Sequence, residues 1–452
     1  MSDVRVRPAV RRLAITAFVI LLPFAAHSVW DYIELRRLVS EIESIKAKGE
    51  PVSEPPGFPA LPPDPSGKPT AAGYYLAASM LALEAESSAV VTPVQEWFAA
   101  QAPDPKALQT LAVPLAQLVD GTREAVSLAD KAAALPFNGF PGGTEFSYRA
   151  SGMAHLWSLI NARTLHLSAS GNGDGAVVSM LTGLKLRDGL REGSWFAFPE
   201  DRQVAAILSL TRPSSSSLQQ LADALAREGD AGVQVDNFLQ QRARYVGTIW
   251  RRYYGTDPSA PSQYSLPMRS ITETVLRPWI THQTVDMLQV WAELARVAKM
   301  PWPEKVDARA RLIDRLEPEV DGRSLSRYGW LSRRSIPVAA YAQVADATPL
   351  IIDRSSRVAV AIERFERDRN ARPALLTELV PQYLAAIPAD PYTGGPLRYL
   401  RAADRYTIYS VGPNKKDDAG DLRSEFDAAV ARGQKYRRIR GTDIGVTILT
   451  RP

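Results

Sequence analysis

The chain has 452 residues, 45% of them hydrophobic and 23% charged, long enough for about two to four domains with a sizeable core. Its 54 lysines and arginines stand against 49 aspartates and glutamates, a net +5 that does not mark a nucleic-acid binder, in which basic charge gathers into one patch or stripe. There are no cysteines, which excludes disulfides, zinc–thiolate sites, iron–sulfur clusters and thiol nucleophiles.

Residues 1–12 carry Arg5, Arg7, Arg11 and Arg12 against a single acid, Asp3. The run from Leu13 to Trp30 has no formal charge and, as a helix, spans roughly 27 Å, close to the hydrocarbon core of a bilayer. Trp30 and Tyr32 fall where an aromatic belt is expected, and the arginines place the preceding end in the cytoplasm. A cleaved signal peptide would use Leu13–Ala26 as its apolar region and Ala26-His27-Ser28 as its small-residue site. An uncleaved anchor is favoured, because Ile33, Leu38, Ile42 and Ile45 carry the helical pattern on through a membrane-proximal segment, 31–49. This predicts a single-pass inner-membrane protein with its bulk in the periplasm.

From 50 to 70 prolines recur, removing the donors that a helix or sheet needs; the segment is a stalk or an arm laid over the body. A mainly α-helical body is then expected over 71–345. Within 71–135, Tyr74, Leu76, Met80, Leu81 and Leu83 begin the pattern, Val94, Trp97 and Phe98 continue it, and Leu108, Leu111, Leu115 and Leu118 repeat at three to four residues. Pro136 to Gly143 reads as a loop. Residues 148–192 predict a helical hairpin broken at Gly171-Asn-Gly-Asp-Gly175, which resembles one unit of a tetratricopeptide-like solenoid, though no copies at a period of about 34 residues accompany it. Ser217-Leu-Gln-Gln220 reads as a capping box opening a helix over Leu218–Glu228, with further helices over 232–252, 270–299 and 303–317.

Chemical signatures are sparse. The four histidines are His27, His155, His166 and His282. His155 and His166 share a helix face but lie roughly 16 Å apart along it, too far to share a metal. His27 falls in the span, and His282 stands alone in the sequence. Nucleotide, hydrolase and metalloprotease motifs are absent. Trp250-Arg-Arg-Tyr-Tyr254 and Lys435-Tyr-Arg-Arg-Ile-Arg440 mix cations with aromatics, and both read as snorkelling side chains over packed rings.

The last stretch, 346–452, predicts a small α+β module. Leu350, Ile351, Val358, Ile362 and Phe365 make a helix face that ends at Asn370, a residue suited to a left-handed cap. Leu375–Leu384 reads as a short helix interrupted at Pro381, and Leu397–Leu400 and Tyr406–Val411 as an antiparallel hairpin turning over Ala402–Arg405. Tyr409, Ser410, Asn414, Asp417, Asp418 and Asp421 then offer the oxygen donors that a calcium ion takes, although Lys415 and Lys416 beside them oppose a cation and a solvated turn fits as well.

Pro373, Leu376 and Leu379, then Asp390, Pro391, Gly394 or Gly395, Pro396 and Tyr399, then Tyr406, Tyr409, Ser410, Gly412, Asn414, Asp417 and Asp418, with Asp443-Ile444 near the end, follow one pattern. It resembles the globular part of the type II secretion major pseudopilins. The whole plan is also similar to uncharacterised bacterial membrane-anchored proteins that end in such a module. The pseudopilin resemblance implies a calcium loop, with Asn414 where that family places an aspartate, and a partner in the envelope or secretion machinery. The expected function is therefore a membrane-anchored scaffold or interaction protein bound to the bilayer through Leu13–Trp30, with no nucleic-acid partner. The alternative is an envelope hydrolase with a carboxylate acid–base pair in the helical body.

Overall fold

A computed structural model describes residues 8–52, 70–84, 108, 111–136, 146–190, 200–226, scattered positions between 239 and 254, 271–320, 347–422 and 443–449. Most of the proline-rich segment, residues 94–98, the loop over 137–143 and the basic run 435–440 lie outside the described residues. Among the described residues the chain is mainly helical, with one three-stranded antiparallel sheet. It forms two compact units.

The first unit draws on Met1–Pro55, Gln234–Lys299 and Ala308–Val344. Its leading element is α1 (Pro8–Ala47), a single helix that joins the charge-free run to residues 31–47 and is long and apolar enough to cross a membrane. Its pattern changes sharply along its length. The large apolar side chains Phe18, Leu22, Phe24, Val29 and Ile33 are all exposed, whereas Leu35, Leu38, Ile42 and Ile45 are buried. The latter repeat at three and four residues, the spacing of a helix–helix seam, and each contributes about 1.5–3 kcal/mol on burial. Gly49, at φ +71°, ends the helix. Gly49 N–H donates to the Lys46 carbonyl (2.8 Å) and Glu50 N–H to that of Ile45 (3.3 Å), the paired bonds of a Schellman cap.

The seam of α1 packs on α9 (Ile271–Ala298), whose Val285 and Leu288 enter the same core. Trp250 and Tyr254 complete that core, their rings tilted at 37° with centroids 4.8 Å apart. Two of the rings in the aromatic–cationic run are thus core.

The second unit draws on Pro56–Val233, Met300–Asp307 and Ala345–Pro452. One of its cores gathers α2 (Ala71–Glu84), α3 (Ala112–Gly121), α4 (Arg123–Ala133) and α5 (Phe146–Ala169) around Tyr75, Leu115, Leu156 and Ile160. The other joins α6 (Gly173–Leu190), α7 (Glu200–Leu210) and α8 (Ser215–Leu225) to α11 (Thr348–Arg369) and the sheet, through Val177, Ile207, Leu221, Ile362, Ile408 and Val446. The division therefore departs from the expected one. The stretch 71–345 is shared between the units, and α11 with its sheet packs on α7 and α8 instead of standing apart. Helix α10 (Glu304–Val320) precedes α11 in the chain.

Several local expectations are corrected. The α5–α6 hairpin breaks only over 170–172, because Asn172 Oδ1 accepts from Gly175 N–H (3.0 Å) and starts the second helix early. The cap of α8 is Ser214, whose side chain accepts from Ser217 N–H, so Ser217 lies inside the helix and the Ser217–Gln220 capping box does not form. Helix α7 was not foreseen. Leu375–Leu384 shrinks to one 3₁₀ turn, Leu376–Leu379, because Val380 before Pro381 is extended (ψ 136°) and Pro381 has no N–H to donate. Asn370 does end α11 in the left-handed region, at φ 54°.

The sheet has order β1-β2-β3, formed by Arg398–Arg401, Arg405–Ser410 and Ile444–Leu449. The foreseen hairpin is present, with Tyr399 opposite Ile408, and β3 adds a third strand with Ile408 opposite Val446. Tyr406 and Ile408 of β2 and Val446 and Ile448 of β3 are buried against the helices.

Candidate functional site

The residues singled out as calcium donors lie at the end of β2 (Tyr409, Ser410) and in the loop that follows it. Asp390, buried in the Asp390-Pro-Tyr-Thr-Gly-Gly-Pro396 turn, fixes where that loop starts. One of its oxygens accepts from Ser410 Oγ and from Tyr392 N–H (both 2.8 Å), and the other from Val411 N–H (3.1 Å). At the far side Asp443, just before β3, accepts from Asp418 N–H (3.3 Å) and Gly420 N–H (2.7 Å). Two buried carboxylates therefore clip the acidic loop to the sheet through backbone donors. Burial raises the pKa of Asp443, and the charges of Asp418 and Asp417 push the same way, against the two backbone hydrogen bonds.

Within the loop the donors are already engaged. Asp417 accepts from Tyr409 OH and Ala419 N–H (both 3.0 Å) and pairs with Arg398. Asn414 donates to Asp418 (2.8 Å) and accepts from Lys416 N–H (2.9 Å), while Lys415 pairs with Asp307 (2.7 Å). Ser410 Oγ serves Asp390 and Gly412 N–H, and Asp421 closes the loop with its N–H on the Asp418 carbonyl (3.3 Å). Among the described residues, no three His, Asp or Glu side chains converge as a metal group. To hold calcium, this set must release Asp417 from Arg398 and Asn414 from Asp418. The hydrogen-bonded arrangement is expected to melt at the same temperature in calcium and in chelator. A calcium-dependent rise in Tm would show the loop reorganising around the ion.

A second polar constellation joins residues far apart in sequence. His27 Nε2 donates to the Val275 carbonyl (2.9 Å), Asp31 takes two hydrogen bonds from Arg277 Nε (2.9 and 3.1 Å) and one from its Nη2, and Glu34 lies 3.1 Å from His282 Nδ1. Further along, Glu50 meets Lys299 (3.5 Å). Partners in these four pairs are always 246–249 residues apart, which makes α1 and α9 a parallel pair in one register. His282 is thus not alone. Its Nδ1 also lies 3.0 Å from Arg37, and its Nε2 lies 3.5 Å from the buried Asp286. A proton on Nδ1 serves Glu34, whereas a bare Nδ1 accepts from Arg37, so the tautomer selects the partner. The Asp31 hydrogen bonds raise the pKa of Arg277, and burial pushes the Tyr254 hydroxyl, hydrogen-bonded to Thr281, up to about 12. These groups lock the helices together as charge-assisted pairs.

The same unit carries an open groove lined by Lys48, Glu50, Glu293, Arg296 and Lys299. Its two carboxylates are neutralised, Glu50 by Arg242 (2.9 Å) and Lys299, and Glu293 by Arg315. Burial raises the pKa of Glu50, but the hydrogen bond and charge of Arg242, with Lys299, outweigh it and leave the value lowered. That is the opposite of the shift a general acid needs near neutral pH. Comparison with family models, with curated proteins and with solved structures yields no match to this chain.

The loop residues were legible because they are local. The parallel register of α1 and α9 was not, since the pairing residues are about 250 positions apart. The local hint was a set of acids (Asp31, Glu34, Glu50) flanking the apolar seam of α1.

Proposed function

We propose that this chain is a membrane-anchored, extracytoplasmic scaffold or interaction protein of a bacterial envelope, presenting a module similar to the globular part of a type II secretion pseudopilin. One observation carries the reading: α1 continues unbroken from an apolar, uncovered stretch into a buried seam on α9. An anchor built this way has no joint between the lipid and the folded unit, which suits a protein that holds a surface at a fixed height. The arginines before the run orient it with the body outside. The neutralised carboxylates of the groove favour this reading over a hydrolase.

Expression in a Gram-negative host tests the reading. The chain should stay with membranes after alkaline carbonate extraction. In spheroplasts, externally added protease should digest the body and spare an N-terminal tag. Release into the soluble fraction, or a protected body, would count against it. Proximity labelling that returned no envelope-assembly neighbours would remove the scaffold part of the reading.

A further inference from the structure

We propose that His282 is an acid-closed clamp between α1 and α9: a second proton on its ring lets it bond Glu34 of α1 and Asp286 of α9 at once. Loss of that proton leaves one of the two carboxylates unserved by the ring and loosens the helix pair.

Three charged side chains surround the ring. Nδ1 lies 3.1 Å from Glu34 Oε1 and 3.0 Å from Arg37 Nη1, and Nε2 lies 3.5 Å from Asp286 Oδ2. Arg37 also donates to the other Glu34 oxygen, at 3.0 Å. The Glu34 side chain is 7% exposed and that of Asp286 is fully buried, so both carboxylates are fixed, whereas Arg37 (41%) and the ring (36%) keep contact with solvent.

A neutral imidazole has one N–H and one lone pair. With the proton on Nδ1 it bonds Glu34 across the helices, and the Nε2 lone pair faces the Asp286 carboxylate. With the proton on Nε2 it serves Asp286 within α9, while Nδ1 accepts from Arg37 and sets its lone pair against Glu34. The doubly protonated ring donates at both nitrogens and makes the cross-helix contact a charge-assisted bond. Formal charge agrees: Glu34 and Asp286 against Arg37 leave one negative charge around the ring, which the second proton cancels. Arg37 then gives up the ring and retains Glu34.

Histidine exchanges this proton between about pH 5 and 8, where ordinary carboxylates and guanidinium groups keep their charge. The extra bond is therefore present in acid and is lost as pH rises through that range. Neighbouring groups stay constant. Trp30 Nε1 is a neutral donor to Glu34 (3.3 Å), and Tyr254, packed into the same seam, has its hydroxyl pushed up to about 12. One helical turn before Glu34, the Asp31–Arg277 pair holds the same two helices, and the hydrogen bonds of Asp31 raise the pKa of Arg277 further. The helix pair thus has one permanent lock and, a turn along, one that acid closes.

Hydrogen exchange of the full chain in detergent, corrected for intrinsic rates and compared at about pH 5.5 and pH 8, tests the clamp. Amides at 34–38 of α1 and 280–288 of α9 should be about threefold to fivefold better protected in acid, the range for a partly exposed ion pair, with α4 of the other unit as reference. His282→Gln should erase the difference, and His27→Gln, which removes the other histidine joining these helices, should keep it. Arg37→Met takes away the competitor for Nδ1 in the neutral ring and should lower protection at pH 8 alone, widening the difference. Equal or greater protection at pH 8 in the natural chain overturns the proposal, as does a difference that survives His282→Gln. Should His282→Gln open the seam at both pH values, Arg37→Met decides, and a narrowed difference in that variant overturns the proposal.

Discussion

Asp353→Ala is expected to destabilise the second unit by about 3–5 kcal/mol, the loss typical of removing one member of a buried ion pair. Asp353 on α11 meets Arg187 on α6 at 3.2 Å, with side chains only 10% and 6% exposed. Removing the carboxylate takes one charged partner from a buried guanidinium, where the low dielectric makes the loss costly. The double change Arg187→Met with Asp353→Leu should recover most of the loss, since apolar residues of similar size fill the space without stranding a charge. Urea melts followed by far-UV circular dichroism, with amide hydrogen exchange in the sheet read alongside, check the prediction. Because α11, the sheet, α7 and α8 share one core, both probes should shift together. A loss below about 1 kcal/mol would mean the pair is better solvated than the structure indicates. Loss of exchange protection in the sheet ahead of the helical transition would mean the C-terminal module melts on its own.

The sharing of that core also explains which parts of the fold were readable. Helix α11 was legible from Leu350 to Asn370 because its apolar period and its left-handed terminator are local signals. The β1–β2 hairpin was legible for the same reason, as tyrosine-rich alternation between turn residues. What lies beside these elements was not. Residues 56–233 and 345–452 join across an intervening segment most of which belongs to the other unit, and no local pattern encodes such a return. The misplaced cap of α8 is a frame ambiguity: Ser214, Ser215, Ser216 and Ser217 are all competent caps, and only the bond from Ser217 N–H to Ser214 chooses among them. The acidic loop illustrates both cases. Asn414, Asp417 and Asp418 could be named from sequence, but the use of Asp417 as partner to Arg398 and Tyr409 depends on strand register. Asp390 and Asp443 were read only as motif residues, and their work as clips required β3 to be placed next to β2.

Gly445→Ala is expected to remove β3 from the sheet, at a cost of about 3 kcal/mol or more, the upper end for a side chain forced into filled space. Gly445 pairs with Tyr409. A Cβ at this position would sit 2.0 Å from the Ile408 carbonyl oxygen and 2.7 Å from Tyr409 Cα. Those are backbone atoms of a paired strand, so no side-chain rotation relieves the clash and the strands themselves must separate. Separation uncovers Val446 and Ile448, which are buried in the core shared with α7 and α11. It also frees Asp443, and with it the acceptors that hold Asp418 and Gly420. One methyl group should therefore act at two places, lowering the denaturation midpoint and loosening the acidic loop. Amide hydrogen exchange separates the effects: protection should fall in β2, β3 and the Asp418–Gly420 backbone, and persist in α4 and α5, which belong to the other core of the unit. Asp443→Asn retains β3 and replaces one of the two acceptor oxygens by a donor, so it should expose the loop amides while leaving β2 and β3 protected. If both variants released the loop and the strands alike, the loop would be holding the sheet in place. If Gly445→Ala spared the loop, Asp443 would not be the clip that the geometry makes it.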